Sequence, residues 1–93
     1  METKPIPFAP NYEISKDGTI TSYQVAPEGR LIKQNVRSDG QHQVTLMING
    51  AKKSTLVKRA VAITYLGAKE DDQVHRHGDV SDDNVDNLYI MEG

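Results

Sequence analysis

The chain has 93 residues, a net charge of −2 and 37% hydrophobic residues, enough for one domain that buries roughly two thirds of its unfolded surface. One Phe and no Trp require an aliphatic core, and the lack of Cys excludes disulfides and thiolate metal sites. No apolar run reaches the length of a signal peptide or a membrane span, so a cytoplasmic protein without membrane partners is expected.

The small net charge conceals an asymmetry. Residues 1–69 hold ten Lys/Arg against five Asp/Glu (+5), whereas residues 70–93 hold one Arg against eight Asp/Glu (−7). A basic front suits contact with an anion. An acidic tail suits holding a cation, repelling phosphate, or meeting a basic partner. Solvated surface of both signs stays open as the plainer reading.

In chain order, residues 1–11 carry three of the four prolines and no hydrophobic period, and read as an extended arm. Asp17-Gly18 marks a turn, and the β-branched stretch 19–23 a strand. Pro27-Glu28-Gly29 is a second turn, 30–36 a second strand, and Ser38-Asp39-Gly40 a third turn. Residues 43–48 alternate, with Val44, Leu46 and Ile48 on one face. Asn49-Gly50 favours a type I′ hairpin turn into a strand from Ala51, so the front reads as an antiparallel meander. The period then changes: Ser54 or Thr55 can cap a helix over 55–66, with Leu56, Val57, Ala60, Val61 and Ile63 as its apolar face and Gly67 as its stop. After an acidic link at 68–72, Val74-His75 and the run 88–91 are two short apolar segments bridged by a polar loop.

With these elements placed, the residues resemble phage-type HNH homing endonucleases over nearly the whole chain. NYEISKDGTITSY is similar to the family's opening strand module, and GRLIK with DGQHQVTLMINGAKKSTLVKRAVAITYL to its continuation. QVHRHGDVSDDNVDNLYI resembles the HNH hairpin, ending in Asp86-Asn87-Leu88. The resemblance implies an α+β fold: an antiparallel β meander with one packed helix, and a C-terminal hairpin of the ββα-metal type lacking its final helix. Residues 12–93 then form a single HNH-endonuclease-like domain, with a strand module and helix over 12–66 and a degenerate hairpin over 73–91. It also implies a bacteriophage origin and the cytoplasm of an infected host cell as the location.

By the same resemblance, His75 falls on the general base and Asn87 on the residue that orients it across the hairpin; imidazole titrates near neutrality, as a base must. The departures from the pattern bear on catalysis. The metal-ligand position before the base is Val74, which cannot coordinate a cation. His77 replaces the acid before the loop glycine, Asp79 follows that glycine, and Lys58 stands where the family's helix carries a His. The closing helix with the other metal ligand is not expected after Gly93. A metal supplies several kcal/mol of charge stabilisation and a base alone only about 10²–10⁴-fold, so no useful cleavage is expected.

Other constellations compete with plainer readings. His75, His77 and Asp79 alternate as a weak candidate metal site, though without a fourth ligand. Asp79, Asp82, Asp83 and Asp86 lack the spacing of a calcium loop; they suit either turn chemistry around Ser81-Asp82-Asp83-Asn84, with Asp86 and Asn87 capping loop backbone, or docking on a basic protein partner. Lys33, Arg37, Lys52, Lys53, Lys58 and Arg59 are candidates for phosphate contacts, and Tyr23 and Tyr65 read as packing residues. Three functions follow. The leading one is a catalytically inactive protein that binds duplex DNA through the basic meander and helix. The alternative is a regulator or inhibitor that binds a host protein, such as a polymerase, restriction or defence enzyme, through the acidic hairpin. The third is an active metal-dependent endonuclease. No cofactor is expected outside that third reading. A homodimer is open, since Val74, Leu88, Ile90 and Met91 need cover.

Overall fold

The computed structural model describes residues 3–23, 28–69, 72–79 and 82–91. Strands β1 (Thr3–Ile6), β2 (Ala9–Ser15), β3 (Ile20–Ser22) and β4 (Arg30–Leu31) lie side by side in chain order. A second sheet holds β5 (Asn35–Val36), β6 (His42–Ile48) and β7 (Ala51–Leu56). Helix α1 (Val57–Val61) continues into one wide π turn, Ala62–Leu66, and β8 (Gln73–Arg76) pairs with β9 (Leu88–Met91) as a separate hairpin. All pairings are antiparallel, and the fold is α+β.

Two turns set the registers. Asn49 (φ 52°) and Gly50 (φ 81°) both adopt the positive φ that a type I′ turn demands, and Ile48 lies opposite Ala51. At the β2–β3 turn, Gly18 has φ 93°, and a Cβ there would stand 2.9 Å from Val57 Cγ1, so glycine lets this turn press against the helix. Asp17 holds the turn from outside: its carboxylate accepts from the Thr19 amide at 3.0 Å and from the buried Ser15 hydroxyl.

The core lies where the two larger sheets meet the helix. Ile6, Ile14, Ile20, Val44, Leu46, Val57 and Val61 are at most 1% exposed, and burying each such aliphatic side chain is worth roughly 1.5–3 kcal/mol. Alternation along β6 sends Val44 and Leu46 inward, as the sequence pattern requires, while Thr45 and Met47 face outward. Two tyrosines tie the layers: the Met47 amide donates to Tyr12 Oη at 2.9 Å, and Tyr65 Oη donates to the Ile14 carbonyl at 2.6 Å. Tyr65 is thus a packing residue, whereas Tyr23 is exposed.

Three expectations are corrected. From Thr3 the N-terminal arm is a strand: Thr3, Lys4 and Pro5 pair with Ser15, Ile14 and Glu13, and Ile6 is fully buried; Pro5 is tolerated because β1 is an edge strand whose outer side needs no donor. The single meander is two sheets, because the expected strand 30–36 divides into β4 and β5. Between them Gln34 spans the gap, donating to the Gly18 carbonyl at 2.7 Å and meeting His42 Nδ1 at 3.2 Å. The helix begins at Val57, with Leu56 as an N-cap that makes no side-chain cap bond. Ser54 and Thr55 remain in β7, opposite Thr45 and Val44, because the hairpin ladder set by Asn49-Gly50 supplies their backbone partners. Gly67 does end the helical segment, in the left-handed conformation. The expected turn at Pro27 and the part of the loop at Ser81 lie outside the described residues.

Candidate nucleic-acid interface

The β8–β9 hairpin divides its residues by face. Val74, opposite Ile90, is 5% exposed and belongs to the core, as does Leu88. His75, opposite Tyr89, lies on the other face, where its ring stacks on Tyr89 with centroids 5.6 Å apart and planes at 23°. The His77 ring meets the same tyrosine at 4.6 Å and 31°. His75 Nε2 lies 3.3 Å from Gln73 Oε1.

Asn87 is turned away from His75. Its Oδ1 accepts from the Gly78 amide at 3.0 Å, and its Nδ2 donates to the carbonyls of Asp79 and Asp82 at 3.2 and 2.9 Å. The side chain therefore staples the loop between the strands, the capping role that was one of its two sequence readings. Asn84 caps the short 3₁₀ turn Val85–Asn87 by accepting from the Asp86 amide, so Asp86 is the capped residue and not the cap. Among the described residues, no group of three or more His, Asp or Glu converges in a metal-binding arrangement.

The acidic loop is not a uniform docking face. Asp79, Asp82 and Asp86 are exposed, but Asp83 is buried and pairs with Arg76 at 2.5 Å, with side chains 3% and 7% exposed. Asp83 is therefore withdrawn from any surface contact in this structure. Arg76, which sequence reasoning passed over, also donates to Gln41 Oε1 at 3.1 Å. Gln41 in turn donates to Asp39, and Asp39 pairs loosely with Arg37 at 3.8 Å. A polar chain thus runs from the β5–β6 turn to the hairpin loop. The Gln41 bonds hold the Asp39 carboxyl below its usual range.

The basic candidates divide into two groups. Arg37, Lys53 and Arg59 line one cleft of about 560 Å³, together with Phe8, Gln43, Ser54, Thr55, Leu56 and Ile63. Among the described residues no carboxylate lines it, and Arg59 donates to the Asp72 carbonyl at 3.1 Å. Lys53 reaches it from edge strand β7, Arg59 from the helix and Arg37 from the end of β5, so the convergence is tertiary. Lys33, Lys52 and Lys58 stand outside this lining. Lys52 lies opposite Met47 on the outward face, and Lys33 is exposed between β4 and β5. Lys58 is half-buried toward Arg76 and Asp83; loss of water and the like charges of Arg76 and Arg59 hold its amine below 10.5.

No protein-family model and no curated protein matches the sequence. Among solved structures, the fold is similar to that in a study titled as DNA binding and cleavage by the HNH homing endonuclease I-HmuI, with a TM-score of 0.80 and 30% identity over 98% of this chain. The chain spans about half of that protein's length, 52%.

Proposed function

We propose, starting from a fold of the HNH homing-endonuclease type, that the chain binds duplex DNA through its basic front and does not cleave it. The observation that carries this reading is the convergence of Arg37, Lys53 and Arg59 on one cleft. Each phosphate contact made by such a cation releases condensed counterions, which makes binding favourable and dependent on salt. The DNA bound and cut by the HNH relative adds support for the substrate class. Catalytic silence rests on the hairpin. The residue before His75 is Val74, whose side chain is committed to the core, and Asn87 is bonded to the loop instead of to the imidazole. A base without a metal or a fixed tautomer loses most of the stabilisation of the leaving oxygen.

The test is fluorescence anisotropy of labelled duplex at two salt concentrations, run beside plasmid nicking with and without Mg²⁺. Binding that weakens steeply with salt and no nicking in either buffer is expected. No binding at low salt overturns the reading and leaves the acidic loop, with Asp79, Asp82 and Asp86, as the surface for a protein partner. Nicking that needs Mg²⁺ and disappears in His75→Ala overturns the silence.

A further inference from the structure

The chain makes three turns of the Asx-Gly type, Asp17-Gly18, Asp39-Gly40 and Asn49-Gly50, and the fold treats them differently. Such a dipeptide can react with itself, because glycine has no side chain to shield its amide nitrogen from the side-chain carbonyl before it. Two of the turns are held against this. The Gly18 amide donates to the Ser15 carbonyl at 3.0 Å, and the Gly40 amide to the Arg37 carbonyl at 2.9 Å. Their acids are engaged as well: Asp17 accepts from Ser15 and Thr19, and Asp39 from the backbone amide and side chain of Gln41. The third turn is open. Ile48 pairs with Ala51, so neither Asn49 nor Gly50 belongs to the ladder. Among the described residues, the Gly50 amide and the Asn49 side chain have no hydrogen-bond partner. Both residues are exposed, and a Cβ at Gly50 would meet nothing within 4 Å. The turn leads into β7, an edge strand exposed over residues 51–54, so its tip opens at low cost.

We propose that Asn49 is a self-modification site, where the chain converts its own asparagine to aspartate and isoaspartate with water as the only co-reactant. The Gly50 nitrogen gives up its proton to solvent base and attacks Asn49 Cγ. The N–Cγ bond forms, the Cγ–Nδ2 bond breaks, and Nδ2 leaves as ammonia after taking a proton back from solvent. Water then opens the resulting succinimide. Breaking the N–Cγ bond yields aspartate; breaking the bond from that nitrogen to the Asn49 backbone carbonyl carbon yields isoaspartate, with the chain running through the side chain. An ionised carboxylate resists the same attack, a further reason that the Asp17 and Asp39 turns persist. Ring closure requires Asn49 to leave its left-handed conformation (φ 52°), so the rate reports opening of the tip. Isoaspartate adds a methylene to the backbone of a two-residue loop whose geometry demands positive φ at both positions. The Ile48–Ala51 and Met47–Lys52 pairs beside it then come apart. This chemistry does not depend on the DNA reading above.

The experiment ages the folded protein in neutral and mildly alkaline buffer and maps its proteolytic peptides by mass spectrometry, with enzymatic methylation to detect isoaspartate. A synthetic peptide of residues 46–53, which has no fold to restrain it, is aged alongside. Conversion is expected at Asn49, faster in the alkaline buffer and within about tenfold of the peptide's rate, with Asp17 and Asp39 unchanged. Amide exchange of the aged protein is expected to show lost protection at Met47 and Ala51. Freshly made Asn49→Asp, which carries the new charge without the methylene, is expected to keep that protection. Conversion in the folded protein more than tenfold slower than in the peptide, or equal isoaspartate at Asp39, overturns the proposal. Protection kept in the aged protein, or lost equally in Asn49→Asp, overturns the backbone account of its effect.

Discussion

The buried Arg76–Asp83 pair makes a demanding test of how the hairpin is held. Arg76→Met removes the guanidinium and leaves a carboxylate that is 3% exposed without its ion-pair partner, and it also breaks the bond to Gln41. Removing one member of a buried pair costs about 3–5 kcal/mol. Stability of a domain this size is on the order of 10 kcal/mol, so the loss is a large share of it. Each kcal/mol moves the melting midpoint by about 4–8 °C, which places the expected drop above roughly 10 °C. The assay is urea and thermal denaturation followed by far-ultraviolet circular dichroism. The double variant Arg76→Met/Asp83→Leu, which removes both charges, is expected to recover most of the loss, because much of the single variant's cost is the stranded carboxylate. A loss below about 1 kcal/mol in Arg76→Met, or a double variant no more stable than the single one, would refute this account of the pair.

Other expectations follow from the same geometry. Val74→Asp, which puts an acid where the resemblance would place a metal ligand, places it at a site 5% exposed in the core, so denaturation should show a loss of several kcal/mol with no gain of Mg²⁺-dependent nicking; a stable, nicking variant contradicts this. The Asp17 carboxyl lies below its ordinary 3.8, through the Ser15 hydroxyl first; loss of water opposes it, and the Thr19 bonds add to the lowering. That stability is present above 3.8 and lost as pH falls through the lower folded value. Asp17→Ala should therefore cost about 1 kcal/mol at neutral pH, discounted for exposure, and progressively less in acid, as denaturant midpoints across pH will show. For Lys58 the sign reverses: its depressed amine leaves the fold most stable above 10.5 and less so as pH falls through the folded value. Lys58→Met should raise the melting midpoint at pH 7, and a lowered midpoint would mean that the charge is favourably placed.

What the sequence revealed depended on how local the cause was. Asn49-Gly50 was legible because two adjacent residues carry the whole demand for positive φ, and the alternation of Val44 and Leu46 because one strand carries it. Gly67 ended the helix for a similarly local reason. The helix start was not legible, because Thr55 both caps helices and favours strands, and pairing with Val44 across the hairpin decides between them. Strand β1 was missed because the prolines at 5, 7 and 10 argue against a sheet, while its pairing with residues up to Ser15 is set by the tertiary fold. At the site, six cations could be named but not divided: Lys52 and Lys53 are neighbours in sequence and face opposite sides of β7. Phe8 had no visible connection to them. Arg76 left one signal that was not used, a lone cation in an acidic tail, directly after the apolar-His strand, where an unmatched charge calls for a partner. Of the two sequence readings of Asn87, the cap on loop backbone describes its bonds to Gly78, Asp79 and Asp82, whereas the resemblance would tie it to His75.

The most direct test of the central claim is the salt dependence of duplex binding, compared between wild type and Arg37→Gln/Lys53→Gln/Arg59→Gln. If these cations are the phosphate contacts, the slope of log affinity against log salt should become shallower by about 0.9 per cation, close to 3 in all. The control Lys33→Gln/Lys52→Gln, which alters cations outside the cleft lining, should change it much less. An unchanged slope in the cleft variant, or an equal change in the control, would contradict the claim that this cleft is where the protein meets DNA.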